Sequence, residues 1–599
     1  MALGISTLER SWTRREAEIA SLVDNPAKRE HLLHRSLLIM ALTTVLMGAC
    51  VYRLANLQLV QGAHNHQLAE ENRLRPIPIR SDRGNILDRH GQLLAANQLS
   101  RAVYFWPRQQ SPERWRQIAA QLSPLLNVPA EEMIKALEEA GYNSPLPVRV
   151  APQVTPDAFV AIAEHAQEFS GVEFVAESSR YYPHAGLAAH VLGYIGEATE
   201  ADLLAHPEYP NGMIVGQMGI ERIANADLDG VWGSRLVEVD AGGQEQRLVG
   251  IEPAEAGKPV QLTLDLAVQE TAERALNNRR GAVVVLDVHT GEVLAMASGP
   301  TFDPNIFTRR VTDAEWQQLQ GSDQPFLNRA LQGYPPGSTF KIVTTAAGIE
   351  SGHFTPSSVL NTSAFITVGG VQFWEHDGSG YGAIGFLDAL VYSSNTFFYQ
   401  VGMAIGPETL AKWGGVFGIG TTPTMDLDGA NHGFIPTPEL KEEIYGEPWY
   451  TGDTVSMAIG QGLVQATPLE MAVMVAVVAN GGWRVQPHLL LSQTDDPDMA
   501  PQPTGISPDT LNVIRQGLIA TVQRGTAQGL NDGSVPLSGG KTGTSEVVGQ
   551  TSHSLFVGFA PADNPEIAVA AIVENGGYGA VSALPIVREI YKTYFSQPH

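Results

Sequence analysis

Three short clusters of hydroxyl, amine and amide side chains carry the chemistry that this 599-residue sequence can do. The first lies in "YPPGSTFKIVTTAAG", residues 334–348, where a Pro-Pro-Gly turn leads into an apolar run. Residues three apart share a helix face, so the spacing predicts that Ser338 and Lys341 meet there. Pro335, Pro336 and Gly337 are suitable punctuation for a helix start. A serine hydroxyl is a weak nucleophile until a neighbour takes its proton. A lysine can do so once desolvation or a second cation lowers its pKa toward neutrality. The N–H groups of a helix start can also stabilise an oxyanion. The second cluster is "SSN", 393–395, with the hydroxyl of Ser393 and the carboxamide of Asn395. The third is "KTGT", 541–544, where Lys541 brings another cation and Gly543 lets a substrate backbone lie close along a strand. Alone, Ser-x-x-Lys fits an ordinary helix start with a surface lysine. The chain has only eight lysines, however, and the three clusters in this order turn the reading toward a nucleophile and its base. A second Ser-x-x-Lys, "SGGK" at 538–541, is interrupted by two glycines and is not expected to be helical.

The elements that would position these groups can be read around them. "VQLTLDL" alternates as a strand, and "AVQETAERAL" follows with helical periodicity. "GAVVVLDVHTGEVLAMAS", 281–298, is a hairpin pattern about a His-Thr-Gly turn. Near the end, "SLFVGFAPADNPEIAVAAIVENGG" holds two more apolar strands, and "ALPIVREIYKTYF" closes the chain as a helix. Strands at both ends of 258–599 with a helical middle predict an α+β domain whose distant strands join one antiparallel sheet. Upstream, "IPIRSDRGNILDRHGQLLAANQ" alternates short β-like runs with turns. "SPERWRQIAAQLSPLLNVPAEEMIKALEEAG" reads as two amphipathic helices started at Ser111 and Pro129. "SLLIMALTTVLMGACVY", 36–52, is an uncharged apolar run that "RLANL" prolongs, at the short end of a membrane span. Thirty-five residues precede it, which does not suit a cleaved signal. "MGAC" loosely resembles a lipid-attachment box, but apolar residues continue past Cys50. Lys28, Arg29 and Arg35 before the run, against Arg53 after it, place the N-terminus in the cytoplasm. The expected layout is a tail at 1–35 with helical periodicity in "LERSWTRREAEIASLV", an anchor at 36–57, an elongated mixed domain at 58–257 and the α+β domain at 258–599.

Composition bounds the partners. A formal charge of −25 argues against nucleic acid, whose phosphates require a surplus of Lys and Arg. The lone cysteine, Cys50, allows no disulfide within the chain and leaves thiolate metal sites without ligands.

The order Ser-x-x-Lys, Ser-x-Asn, Lys-Thr-Gly resembles the penicillin-binding protein and serine β-lactamase superfamily. Ser393 follows Ser338 by 55 residues and Lys541 follows Ser393 by 148, and the first spacing suits the larger transpeptidases. "RGNILDR" (83–89), "HVLGYIGE" (190–197), "GQMGIER" (216–222) and "GQGLVQATPLEMA" (460–472) resemble segments of class B penicillin-binding proteins. "NTFFYQVG" (395–402) is similar to the elongation-type members, the penicillin-binding protein 2 group.

That resemblance implies a single membrane helix, a pedestal domain and a penicillin-binding transpeptidase domain with helices on both faces of its sheet. It implies that Ser338 attacks the carbonyl between two D-alanines of a peptidoglycan stem peptide while Lys341 accepts its proton. Ser393 and Lys541 would relay the proton, Asn395 would bond the donor peptide, and Thr542 and Thr544 would hold its carboxylate. The oxyanion would rest on the N–H groups of Ser338 and Thr544, and β-lactams would acylate Ser338. Two lysines about one serine repel, so Lys341 is expected neutral beside a protonated Lys541. Trp374 and Tyr381 are expected to line the groove. Glu375, His376 and Asp377 form a cluster near which some elongation-type relatives carry a metal. Adjacent side chains converge poorly on one ion, so the segment reads as a solvated rim, with no metal or cofactor expected. Arg83 and the Asp88–Arg89 pair read as structural salt bridges of the pedestal. The resemblance further implies two partners, a multi-spanning glycosyltransferase of the shape, elongation, division and sporulation (SEDS) class and a rod-shape scaffold protein on the pedestal. A septal transpeptidase, a D,D-carboxypeptidase or β-lactamase, and a non-catalytic β-lactam sensor stand as alternatives.

Overall fold

The computed structural model describes residues 26–597 apart from 65–72, 145, 208, 210–211, 241–244, 310, 322, 424 and 548. The helical tail expected within 8–23 lies outside the described residues. Contacts divide the chain into two compact units, residues 1–77 with 234–252, and residues 78–233 with 253–599.

In the first unit, helix α1 (Pro26–Ala55) runs into a wider helical turn at Asn56–Val60. An 18-residue segment of mean hydropathy 1.9, in which no residue is buried in protein, lies within its apolar stretch, Leu33–Val60. At 1.5 Å per residue that is roughly 40 Å of helix, enough to cross a hydrocarbon layer of about 30 Å. Its two threonine hydroxyls are satisfied locally, Thr43 and Thr44 donating back to the Met40 carbonyl at 3.0 and 2.7 Å. A three-stranded sheet of Leu74–Ile79, Gly233–Val239 and Glu245–Glu252 completes the unit.

The second unit begins with a small sheet in which β1 (Leu93–Phe105) is covered by α2 (Pro112–Leu126) and α3 (Ala130–Ala140). β1 pairs antiparallel with β2 (Val148–Ala151) and β3 (Val172–Tyr181). The two helices start where expected: the Ser111 hydroxyl caps α2 by accepting from the Arg114 N–H, and Pro129 precedes α3. Trp115 of α2 stacks on Phe105 at 4.6 Å between ring centres, in a core with Ile118, Met133 and Leu137.

The segments "RGNILDR" and "GQMGIER" meet at one buried carboxylate. Glu221 accepts from Arg83 Nε and Arg180 Nε, each at 2.6 Å, and from the Tyr182 hydroxyl at 3.1 Å. Gly84 must be glycine, because a Cβ there would stand 1.9 Å from the Lys258 carbonyl oxygen. Arg83 is thus an ion-pair residue, as the sequence suggested, while Asp88 is not. Its carboxylate accepts from the N–H groups of His90, Gln92 and Leu266 at 2.9, 2.8 and 3.2 Å. Arg89 pairs outside the pedestal segment, with Glu292 at 3.1 Å.

Beyond residue 258, the strand expected for "VQLTLDL" shrinks to Val260–Gln261, paired in parallel with Ile86–Leu87. Only those two residues find a partner strand before Asp265 caps helix α4 (Leu266–Leu276). The main sheet then forms from the hairpin β4 (Gly281–Asp287) and β5 (Val293–Gly299). The Asp287 carboxylate tightens its turn by accepting from the His289 and Thr290 N–H groups at 2.8 and 2.9 Å. The helical middle supplies α5 (Lys341–Glu350), the small hairpin β6 (Phe365–Val368) and β7 (Val371–Trp374), and helices α6 (Phe386–Tyr392) and α7 (Asn395–Ile405). Helices α8 (Pro468–Ala479) and α9 (Pro508–Arg524) follow, then β8 (Gly539–Ser545), β9 (His553–Ala560), β10 (Ile567–Val573) and α10 (Gly579–Ser596).

The sheet order is β5-β4-β10-β9-β8, all antiparallel, so strands nearly 300 residues apart in sequence lie side by side. Strand alternation builds two cores from one sheet. Ala282, Val284 and Leu286 face α5, α7, α8 and α9, whereas Val283 and Val285 face α4 and α10. β8 is left at the edge, with one side of its backbone open.

Candidate active site

The turn carrying the serine is held from three directions. Tyr334 exchanges backbone bonds with Ala466 at 3.0 and 2.8 Å, and its hydroxyl donates to Glu574 at 2.9 Å. The Gly337 N–H donates to the Gly460 carbonyl at 2.9 Å. Gly337 itself has φ +55°, and a Cβ there would lie 2.7 Å from the Thr544 carbonyl oxygen. Only glycine lets this turn lie directly against β8. Ser338 therefore stands on a 3₁₀ turn, Gly337–Phe340, with α5 starting only at Lys341. The expected α-helical start is tightened, but residues three apart eclipse in a 3₁₀ turn, so the shared face survives.

Lys341 is wholly buried. Its amine donates to the Ser393 carbonyl at 2.6 Å, the Ser393 hydroxyl at 3.2 Å and Asn395 Oδ1 at 2.8 Å. The direct Ser338–Lys341 bond expected from spacing is not made, and among the described residues the half-buried Ser338 hydroxyl has no hydrogen-bond partner. A desolvated ammonium takes a carbonyl and an amide oxygen in preference to a hydroxyl, and its three hydrogens are spent on the Ser393–Asn395 turn. Burial lowers the Lys341 pKa to about 7, with the Glu375 carboxylate opposing that fall.

Lys541, on β8, is also fully buried, and its amine donates to the Thr542 carbonyl at 3.2 Å. Burial first, and then the nearby charge of Lys341, hold it well below the ordinary lysine range. Burial thus works against charge on both lysines. Glu375 favours a proton on Lys341, and among the described residues no carboxylate pairs with Lys541.

The rest of the "KTGT" strand frames an open edge. The Thr544 carbonyl accepts from the Gln461 side chain at 3.3 Å, on the side away from β9. N–H and C=O of one residue point the same way in an antiparallel strand, so the Thr544 N–H faces that edge too. The Ser338 N–H belongs to the first, unpaired donors of its turn. Thr542 is buried, and its hydroxyl lies 2.6 Å from that of Thr526, a residue the sequence reading did not single out. A Cβ on Gly543 would press at 3.0 Å on the Thr339 methyl and at 3.2 Å on the Pro336 carbonyl.

Across the groove, Asn395 commits its oxygen to Lys341 and its Nδ2 to the Trp374 carbonyl at 3.3 Å. The Trp374 ring is exposed and packs at a tilt against Phe365, 4.8 Å between ring centres. Tyr381 is held by Asp377 at 2.9 Å and stacks on Tyr392. The solvated-rim reading fails for Glu375, which is 3% exposed, although His376 and Asp377 are exposed as expected. Its carboxylate is bonded to the Ser394–Thr396 backbone and hydroxyls, a contact no local pattern announces. Gly460 and Gln461 were legible only as part of the "GQGLVQATPLEMA" resemblance. The Thr467–Glu470 capping box within that segment is the one sign that it starts a buried helix.

The comparisons with known proteins agree with this geometry. The family model for the penicillin-binding protein transpeptidase domain matches residues 281–592, and that for the penicillin-binding protein dimerisation domain matches 78–262. The peptidoglycan D,D-transpeptidase MrdA of Acinetobacter baumannii is 31% identical over 93% of this chain and 87% of its own length. Its Escherichia coli K12 counterpart is 32% identical over 93% and 94%. Among solved structures, penicillin-binding protein 2 of Helicobacter pylori in complex with MreC superposes with a TM-score of 0.78 at 28% identity, covering 87% of this chain and 99% of that one. A peptidoglycan synthase complex that coordinates polymerisation and crosslinking gives 0.68 at 32% identity, covering 95% and 99%. A transpeptidase sheet with a serine, two lysines and an asparagine at its edge defines the class, and the chain belongs to the penicillin-binding transpeptidases. Within them it is a class B protein of the penicillin-binding protein 2 group, the D,D-transpeptidases of lateral wall elongation.

Proposed function

We propose that this chain cross-links peptidoglycan by acyl transfer through Ser338, and that β-lactams inhibit it at the same hydroxyl. The single observation that carries the assignment is the Lys341 amine, fully buried one 3₁₀ turn from Ser338 with a pKa brought to about 7. An amine so placed can be neutral near physiological pH and accept the serine proton. In the proposed sequence a stem peptide lies antiparallel along the open edge of β8. Its terminal carboxylate meets Thr542, Thr544 and Lys541 and supplies the counter-charge that Lys541 lacks. The proton held between the two lysines then rests on Lys541, paired with that carboxylate, and Lys341 is left neutral. Ser338 Oγ attacks the carbonyl between the D-alanines, its proton passes to Lys341, and the oxyanion rests on the Ser338 and Thr544 N–H groups. The proton passes through Ser393 to the departing D-alanine nitrogen as the carbon–nitrogen bond breaks. An amine from a neighbouring strand takes the acyl group and regenerates the serine. Asn395 holds Lys341 and has one N–H left for the donor peptide, and Trp374 offers the groove an exposed aromatic face.

The anchor at 36–57, the pedestal at 58–257 and the catalytic domain at 258–599 belong to this proposal. So does an N-terminus in the cytoplasm with the catalytic domain outside the inner membrane, supported by the basic residues before the apolar run. The relatives captured with MreC and in a synthase complex support a rod-shape scaffold and a SEDS-type glycosyltransferase as partners. Mass spectrometry of the penicillin-treated protein tests the site: the adduct is expected on the peptide containing 334–348 and absent in Ser338→Ala. An adduct elsewhere refutes the assignment.

A further inference from the structure

Glu375 is a buried carboxylate that the acyl-transfer steps above do not use. It follows β7 directly and grips the start of α7. Oε1 accepts from the Asn395 N–H at 2.6 Å, and Oε2 accepts from the Ser394 hydroxyl at 2.7 Å. Oε2 also accepts from the Thr396 N–H at 3.0 Å and the Thr396 hydroxyl at 2.9 Å. The first N–H groups of a helix lack intrahelical acceptors, and a negative charge beside them is favoured. Glu375's own N–H is tied to the Ala364 carbonyl at 2.8 Å, so the clamp is anchored in the β6–β7 hairpin.

What it grips is strained. Ser393 closes α6 with φ +56°, a left-handed conformation uncommon for serine. Ser394 then caps α7, its hydroxyl accepting from the Phe397 N–H at 3.3 Å while donating to Glu375. The same turn presents to Lys341 the carbonyl, hydroxyl and amide oxygen that bind its amine. One carboxylate holds the far side of the turn whose near side holds the catalytic amine.

We propose that Glu375 is a positioning residue for acyl transfer, clamping Ser394–Thr396 so that Ser393 and Asn395 stay seated on the Lys341 amine. The inference rests on the Ser338 acylation reading. Hydrogen bonds from this turn and from His376 overcome burial and keep the carboxyl ionised, its pKa lowered to about 2, so Glu375 is also the counter-charge that Lys341 feels. The titratable groups around the pair are Lys541 from β8, His376 and Asp377 on the Glu375 loop, and Tyr381 and Tyr399 across it, with Glu546 beyond Tyr399.

The test measures the second-order acylation rate by a fluorescent penicillin against pH, using the full-length detergent-solubilised protein and its Glu375→Gln and Glu375→Asp variants. Glu375→Gln is expected to acylate at least tenfold more slowly at the alkaline plateau. Its acidic limb moves to lower pH, because Lys341 loses its counter-charge. Glu375→Asp keeps the limb in place and recovers part of the rate. A lower melting temperature with rate and limb unchanged overturns the proposal. If Glu375→Gln does not fold, Ser394→Ala removes one clamp bond and keeps the charge; it is expected to slow acylation several-fold with an unmoved limb, and an unchanged rate overturns the proposal. Loss of the Ser338 adduct in the wild-type protein refutes the underlying reading instead, so the two failures are distinguishable.

Discussion

At the residue scale the site is a problem of where to keep one proton. Two lysines are fully buried at the edge of β8, and burial pushes both toward the neutral form. The carboxylate of Glu375 favours charge on Lys341 against that burial, and a substrate carboxylate would favour charge on Lys541 instead. A base that must lose its proton cannot be replaced by a guanidinium. Lys341→Arg keeps the positive charge, and the acylation rate is expected to fall by about 10² to 10⁴, the usual worth of a positioned acid–base group. A fall of less than tenfold in stopped-flow acylation would remove Lys341 as the proton acceptor. The residue types at this site were legible because hydroxyl, amine and amide recur in a recognisable order. Their protonation was not, because it depends on Glu375, whose partners lie 19 to 21 residues further on.

At the scale of elements, what aims Ser338 is a short turn pressed against a strand. Gly337 adopts φ +55° within contact distance of β8, so the serine N–H and the Thr544 N–H are set relative to each other by backbone packing alone. Gly337→Ala adds a left-handed penalty of about 1–2 kcal/mol and forces the turn off the strand. Acylation is expected to drop by about 10² or more, as when one oxyanion donor is lost, with a lowered melting temperature. Wild-type acylation in that variant would separate the turn from the oxyanion site. The elements that sequence patterning placed correctly, such as the 281–298 hairpin and the two late strands, are apolar runs that each pair along their length with a neighbouring strand. The run at 260–266 alternates, but only Val260 and Gln261 join a partner strand and Leu262 makes an isolated bridge to Leu490, so the strand is cut short. Periodicity reports which faces are apolar, and only tertiary pairing decides whether a strand exists.

For the whole molecule, one exposed apolar helix and a chain of charge −25 describe a body held at a membrane and facing water. The proposed orientation, with the N-terminus in the cytoplasm, rests on the basic residues before the helix. With Cys50→Ser removing the lone cysteine, Asn531→Cys on an exposed loop is expected to react with a membrane-impermeant maleimide in intact spheroplasts. Labelling only after lysis would invert the topology. Acyl transfer through Ser338 requires a buried amine that can be neutral at working pH. The most direct measurement is therefore the pH dependence of the rate at which penicillin acylates Ser338 in the wild-type, full-length protein. A neutral Lys341 as base gives a rate that rises with pH through a single limb near 7, where its proton is lost, and then levels. A rate that is flat from pH 5 to 9, or that climbs only toward the ordinary lysine range near 10.5, would contradict it.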